Sequence, residues 1–285
     1  MTELAAAVSD LAEAGPWASI GVQGFAAGRF GAAATAAEYG MRDGTAVSVR
    51  MLAAGLVLGP RAVPDAIGRC RDLLGTVPGE DGDLRDALAI LLAMSGRYES
   101  ARDALASRSA GPGGSAGSGG HIAAAAVEHL AGCWDAVGSA LAALGGARAR
   151  PADGLPPRGL NLLARSMLAQ GRIGAADDLL RHGDTAALGP ATLADRCGIA
   201  ARVLAARGRA ACALLLAHSA VATAERTDST GSQGLAYLDL AHAYLALGDG
   251  QAARAAATDA RRSFARKEHL VGIARANQLL STTSG

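Results

Sequence analysis

Aromatic residues make up only 3% of this 285-residue chain, lysine occurs once, at Lys267, and asparagine twice. With so few large rings, an apolar interior must be built from many small side chains packed closely, and a tight ring-lined ligand pocket is not expected. Val and Ile are sparse and nowhere alternate with polar residues for long, which excludes an extended sheet. Uncharged apolar stretches such as 51–60 are too short to cross a bilayer, so no membrane partner is expected. Met1-Thr2-Glu3-Leu4 carries an acid where a secretory leader needs basic residues, and the expected location is the cytoplasm.

Other absences narrow the chemistry. Cys70, Cys133, Cys197 and Cys212 lie far apart with no C-x-x-C spacing, and are expected as buried small apolar side chains in a reducing compartment. There is no G-x-x-x-x-G-K-[ST] loop for a nucleotide, and His121 and His129 stand eight apart rather than at the i, i+4 spacing of a helical metal site. No Ser or Cys nucleophile can be tied to a base, so the chain is expected to be non-catalytic and to need no cofactor. Asp239 and His242, one helical turn apart, fit either a general-base pair or an ordinary surface pair. Formal charge is +1, which argues against a nucleic-acid partner. The near-total preference for Arg over Lys matches GC-rich coding and is no sign of phosphate recognition. Arg254, Arg261, Arg262, Arg266 and Lys267 make one basic helix, read as a solvated outer face.

What the chain has in abundance is alanine, leucine and glycine, and they recur in one phrase. It reads Leu88-Ala89-x-x-Leu92-x-x-x-Gly96-Arg97 with Ala101, then Leu163-Ala164-x-x-Met167-x-x-x-Gly171-Arg172 with Ala176. It returns as Ala200-Ala201-x-x-Leu204-x-x-x-Gly208-Arg209 with Ala213, and as Leu240-Ala241-x-x-Tyr244-x-x-x-Gly248-Asp249 with Ala253. Gly28, Gly59, Gly96, Gly132, Gly171, Gly208 and Gly248 mark turns at intervals of 31, 37, 36, 39, 37 and 40 residues. Each interval holds two helices and two short connections, with the small residue after each turn letting the second helix approach the first. The fold predicted is all-α: six to seven stacked antiparallel helix pairs in a curved array. Residues 1–106 hold degenerate repeats, 107–120 a flexible Gly/Ser loop, and 121–285 clearer repeats ending in a capping helix. Trp17, Trp134, Tyr39, Tyr98, Tyr237 and Tyr244, one or two per unit, are expected as core anchors.

The spacing Leu-Ala-x-x-Tyr-x-x-x-Gly-x-x-x-x-Ala resembles the tetratricopeptide repeat. The stretch from Ala220-Val221-Ala222-Thr223 through Leu247-Gly248-Asp249, with Ser263-Phe264-Ala265-Arg266-Lys267 and Ile273-Ala274-Arg275-Ala276, is similar to the C-terminal helical repeats of large bacterial ATP-binding regulators of the LuxR type. In those families the repeats sense a ligand or partner. The resemblance implies that the first helix of each unit lines a concave groove. Counting back from each turn glycine then places Asp83, Asp86, His129, Arg158, Asn161, Arg165, Asp195, Arg202 and His242 there. An anionic group could accept paired hydrogen bonds from Arg165 and Arg202. Two functions stay open: a non-catalytic regulatory scaffold holding a protein or peptide in the groove, or a small-molecule sensor, biosynthetic-pathway ligand binder or enzyme built on the same array.

Overall fold

Each recurring glycine ends a helix, and the backbone shows how. Gly28, Gly96, Gly132, Gly171, Gly208 and Gly248 all take the left-handed conformation, with φ between 72° and 79°. The next residue's N–H then reaches back five positions, as from Arg97 to the Leu92 carbonyl at 2.9 Å, Arg172 to Met167 at 2.8 Å and Asp249 to Tyr244 at 3.0 Å. This closes the helix by satisfying carbonyls that would otherwise be orphaned, in a conformation that costs glycine little. Five residues past each glycine, Ala33, Ala101, Val137, Ala176, Ala213 and Ala253 are completely buried. A small side chain there lets the helix axes approach.

The computed structural model describes residues 15–41, 46–76, 81–107, 118–145, 155–181 and 188–282. Among them are fifteen helices and no strand. Seven pairs run α1 Gly15–Ala26 with α2 Phe30–Gly40, α3 Ala46–Leu58 with α4 Val63–Leu73, α5 Asp81–Met94 with α6 Tyr98–Ala106, and α7 Ser118–Ala131 with α8 Trp134–Gly145. They continue as α9 Pro157–Ala169 with α10 Ile173–Arg181, α11 Pro190–Ala206 with α12 Ala210–Glu225, and α13 Thr230–Ala246 with α14 Gly250–Lys267. A last helix, α15 Leu270–Thr282, follows. Pro157 and Pro190 open their helices, where a missing N–H costs nothing and the fixed φ suits the first turn. The predicted loop at 107–120 is corrected at its end: Ser118, Gly119 and Gly120 already belong to α7, while 108–117 and the Pro-containing residues 147–154 lie outside the described residues. Val127 of α7 shares one apolar cluster with residues of α3 to α6, so packing continues across that interruption.

First helices touch one another in succession, α1 with α3, α3 with α5, and onward to α11 with α13, while each second helix packs on its own first helix and on the next. The succession also turns back on itself, because α13 reaches α3, and α15 reaches α5. Two charged side chains from the C-terminal half fasten this closure. The Asp228 carboxylate accepts from the N–H groups of Phe30 and Gly31, both at 2.8 Å, and so caps the N-terminus of α2. Lys267 donates to the carbonyls of Leu56, Gly59 and Arg61 at 3.0, 2.5 and 3.1 Å, at the C-terminal end of α3. Gly28 lies under the Thr227 turn; a Cβ on it would stand 2.6 Å from Thr227 Cγ2.

Several expectations need correction. Lys267 is wholly buried and no part of a solvated face, although Arg254, Arg261, Arg262 and Arg266 are exposed. Of the cysteines only Cys70 is buried, its thiol pushed up to about 12 by that burial, and Cys133 is exposed. Trp17 and Tyr39 stack on each other at 4.8 Å at the surface instead of anchoring a core. The α14–α15 break falls at Glu268, a non-glycine residue with φ of 55° in the same left-handed cap, which the glycine count passed over. Gly59, counted as a turn mark, is not left-handed, and its carbonyl serves Lys267 instead.

Candidate functional site

Residues from α7, α8, α9, α11, α13 and α15 surround a cavity of about 490 Å³. Four of the residues placed in the groove by counting, His129, Arg165, Arg202 and His242, line it together. They come from four different repeat units, so the shared phase of those units is what brings them to one place. Asn161 and Asp195 belong to the same neighbourhood through Arg165. Arg158 is exposed at the start of α9. Asp83 and Asp86 lie on α5 away from the cavity, Asp83 facing Arg50 at 3.3 Å and Asp86 beside Gly119.

Arg165 is already engaged by two carboxylates of the chain. Its Nε donates to Asp195 Oδ1 at 2.6 Å, and Nη1 and Nη2 grip Asp239 Oδ1 and Oδ2 at 3.2 and 2.7 Å. Asn161 Nδ2 donates to Asp195 Oδ2 at 2.9 Å and to the Thr192 carbonyl at 3.1 Å, holding that carboxylate in line. Asp239 is 1% exposed and is neither a base partner of His242 nor a surface residue. Gly198 in α11 makes its position possible, since a Cβ there would stand 2.2 Å from Asp239 Oδ2. A buried carboxylate needs this kind of compensation, because an unpaired one costs several kcal/mol in desolvation. The expected shared role of Arg165 and Arg202 toward a ligand anion is therefore corrected: Arg165 is structural.

Arg202 and Arg275 are placed differently. Arg202 lies 4.0 Å from Asp239 Oδ1, has a third of its side chain open, and has no hydrogen bond to the chain among the described residues. Arg275, on α15, donates through Nη2 to the carbonyls of His129 and Leu130 at 3.0 and 3.4 Å and faces the Trp134 ring, with no carboxylate partner. Both side chains line the cavity, and none of their nitrogens is buried without a partner. Arg275, Gln278 and Thr282 escaped the count, since α15 begins after the Glu268 break and has no turn glycine of its own from which to count back, while Trp134, expected as a core anchor, lines the cavity from α8.

Their surroundings disfavour the charged form of both histidines of the cavity. Burial, then the nearby Arg275, Arg165 and Arg202, hold His129 well below the ordinary imidazole range. Burial, then Arg202, holds His242 down to about 4, against a smaller upward pull from Asp239. His129 Nδ1 stands 3.2 Å from Ser166 Oγ, whose own proton goes to the Leu162 carbonyl at 2.9 Å. With the Ser166 proton on Leu162, the imidazole donates through Nδ1, and in that tautomer Nε2 is an acceptor. Leu235, Leu238, Leu279 and Ala169 complete an apolar wall. Among the described residues no group of three His, Cys, Asp or Glu side chains is placed to hold a metal ion, and no helix is long and apolar enough to cross a membrane. Compared with known proteins, the chain matches no family model and no curated sequence.

Proposed function

We propose that this chain is a tetratricopeptide-like helical array that works as a non-catalytic receptor for a small organic anion, bound in the cavity between its inner helices and α15. The observation that carries this reading is the pair Arg202 and Arg275: two guanidiniums that line one cavity without a hydrogen-bonded carboxylate, while the buried Asp239 is held bidentately by Arg165. A guanidinium in a partly dry site gains most from a carboxylate or phosphate that accepts paired hydrogen bonds. The cavity's size falls within the range of small-molecule sites. A peptide partner has less support, because α15 supplies Arg275, Gln278 and Leu279 to the same cavity that the first helices line. A regulatory role would follow if the anion changed how α15 sits.

Thermal-shift measurements at low salt with a panel of small carboxylates and phosphate esters test the reading. Members of the panel should raise the melting temperature of the wild-type chain, and Arg202→Gln combined with Arg275→Gln should abolish the rise. A panel without effect, or shifts that survive the double substitution, would refute it.

A further inference from the structure

The anion reading leaves open which anion, and the groups around Arg202 and Arg275 narrow the choice. Charge comes first. Arg165, Arg202 and Arg275 stand against Asp195 and Asp239, so three guanidiniums and two carboxylates leave a single net positive charge at the site. Arg275 is also held at the C-terminal carbonyls of α7, the negative end of that helix. A monoanion neutralises such a site, whereas a phosphate monoester brings about −1.5 to −2 charges at neutral pH and leaves the surplus buried.

Hydrogen bonding comes second. In the tautomer in which His129 Nδ1 donates to Ser166, Nε2 is an acceptor on the same cavity as the Arg202 and Arg275 guanidiniums. A purely anionic ligand offers acceptors only and would leave this nitrogen without a partner, whereas a hydroxyl on the ligand can donate to it. The third feature is the apolar wall of Leu235, Leu238 and Leu279 with the Trp134 ring, which gives a hydrocarbon body a dry surface.

Building on the anion reading, we propose that the cavity selects an organic monocarboxylate that carries a hydroxyl on an apolar skeleton, and discriminates against phosphate esters. Arg202 and Arg275 hold the carboxylate, His129 accepts from the hydroxyl, and the leucines and Trp134 cover the body.

Three probes that share one ring separate the contributions: mandelate, phenylacetate, which lacks only the hydroxyl, and phenyl phosphate. Calorimetric titration of the full chain at pH 7.5 should show one mandelate enantiomer binding at least fivefold tighter than phenylacetate, and phenylacetate at least fivefold tighter than phenyl phosphate. His129→Phe, which keeps a ring but removes the acceptor, should bring the mandelate and phenylacetate affinities to within twofold of each other. Equal wild-type affinities for those two acids would overturn the acceptor assignment even if the variant failed to fold. Tightest binding by phenyl phosphate would overturn the monoanion assignment while leaving the anion reading standing. No binding by any of the three, with no response to the wider anion panel, would sink the anion reading and this one with it.

Discussion

The ammonium of Lys267 donates to the carbonyl of Gly59 at 2.5 Å across 208 residues of chain. With Leu56 and Arg61 accepting as well, the three N–H donors of the chain's only lysine are all used at the end of one helix. Burial holds this ammonium down to about 8, yet it stays charged at neutral pH, where a cation suits the carbonyl end of a helix. Lys267 and Asp228 together cap α3 and α2 from the far end of the sequence, and they convert a row of helix pairs into a closed body.

Replacing Lys267 with Met keeps most of its volume but leaves three carbonyls without their cation. Loss of a buried charged hydrogen-bonding partner typically costs about 3–5 kcal/mol, and urea unfolding should show a loss of that order. Arginine should not rescue it, because a planar fork cannot direct its donors as a tetrahedral ammonium does. A loss below about 1 kcal/mol would mean that the closure does not depend on this contact.

Gly28 and Gly208 have nearly the same φ, 75° and 73°, but only Gly28 lies under another turn. Alanine at Gly208 meets nothing within 4 Å and should cost only the left-handed strain, about 1–2 kcal/mol. At Gly28 the added methyl also meets Thr227 and Pro190, and overpacking should add about 1–3 kcal/mol. Paired chemical melts of the two variants measure the difference, and equal losses would count against the docking of the Thr227 turn.

Removing Arg165 should be costly for a reason the groove count did not foresee. Arg165→Ala leaves Asp239 buried without its bidentate partner, and breaking such a pair from one side costs about 3–5 kcal/mol. Arg202→Gln, at a partly open side chain with no hydrogen bond to the chain, should change stability by less than about 0.5 kcal/mol. Thermal denaturation of both variants decides the matter; similar melting temperatures would show that Arg165 is not structural.

His269 sets the expected acid response. Its Nδ1 accepts from the Gly272 N–H at 3.1 Å, and burial, then Arg275, holds its pKa at about 4 against 6.5 for an ordinary imidazole. Between those two values the unfolded chain binds more protons than the folded one. The stability is therefore present in full above about pH 6.5 and is lost as pH falls toward 4, by roughly 3 kcal/mol from this residue. His242 contributes in the same direction and window. His269→Asn keeps a helix-capping acceptor, and its urea-derived stability should fall less between pH 7 and 4.5 than that of the wild type. Superimposable pH profiles would rule His269 out as a cause.

Part of the cavity's lining was within reach of the chain alone, though not its wiring. Counting back from turn glycines picked out His129, Arg165, Arg202 and His242, which line one cavity because helices of matched phase put equivalent positions on one face. The same count could not separate Arg165 from Arg202. Which guanidinium is spent depends on Asp239 reaching across from α13, and that depends on the bare backbone at Gly198. Arg275 was missed because its helix is released by Glu268 in a conformation that sequence patterns assign to glycine.

The sequence by itself determined the helices, their pairing and their turns, since each rests on local physics: alanine and leucine favour helix, glycine takes the left-handed cap, and a small residue five positions on admits the neighbouring helix. Only the tertiary structure decided that the array closes, that the one lysine is a clamp, and that α15 completes the cavity. Those outcomes depend on Lys267 meeting Gly59 and Asp228 meeting Phe30, contacts between residues about 200 apart in sequence. No local pattern encodes such a distance, because the small angle between one helix pair and the next, accumulated over seven pairs, sets where the two ends meet.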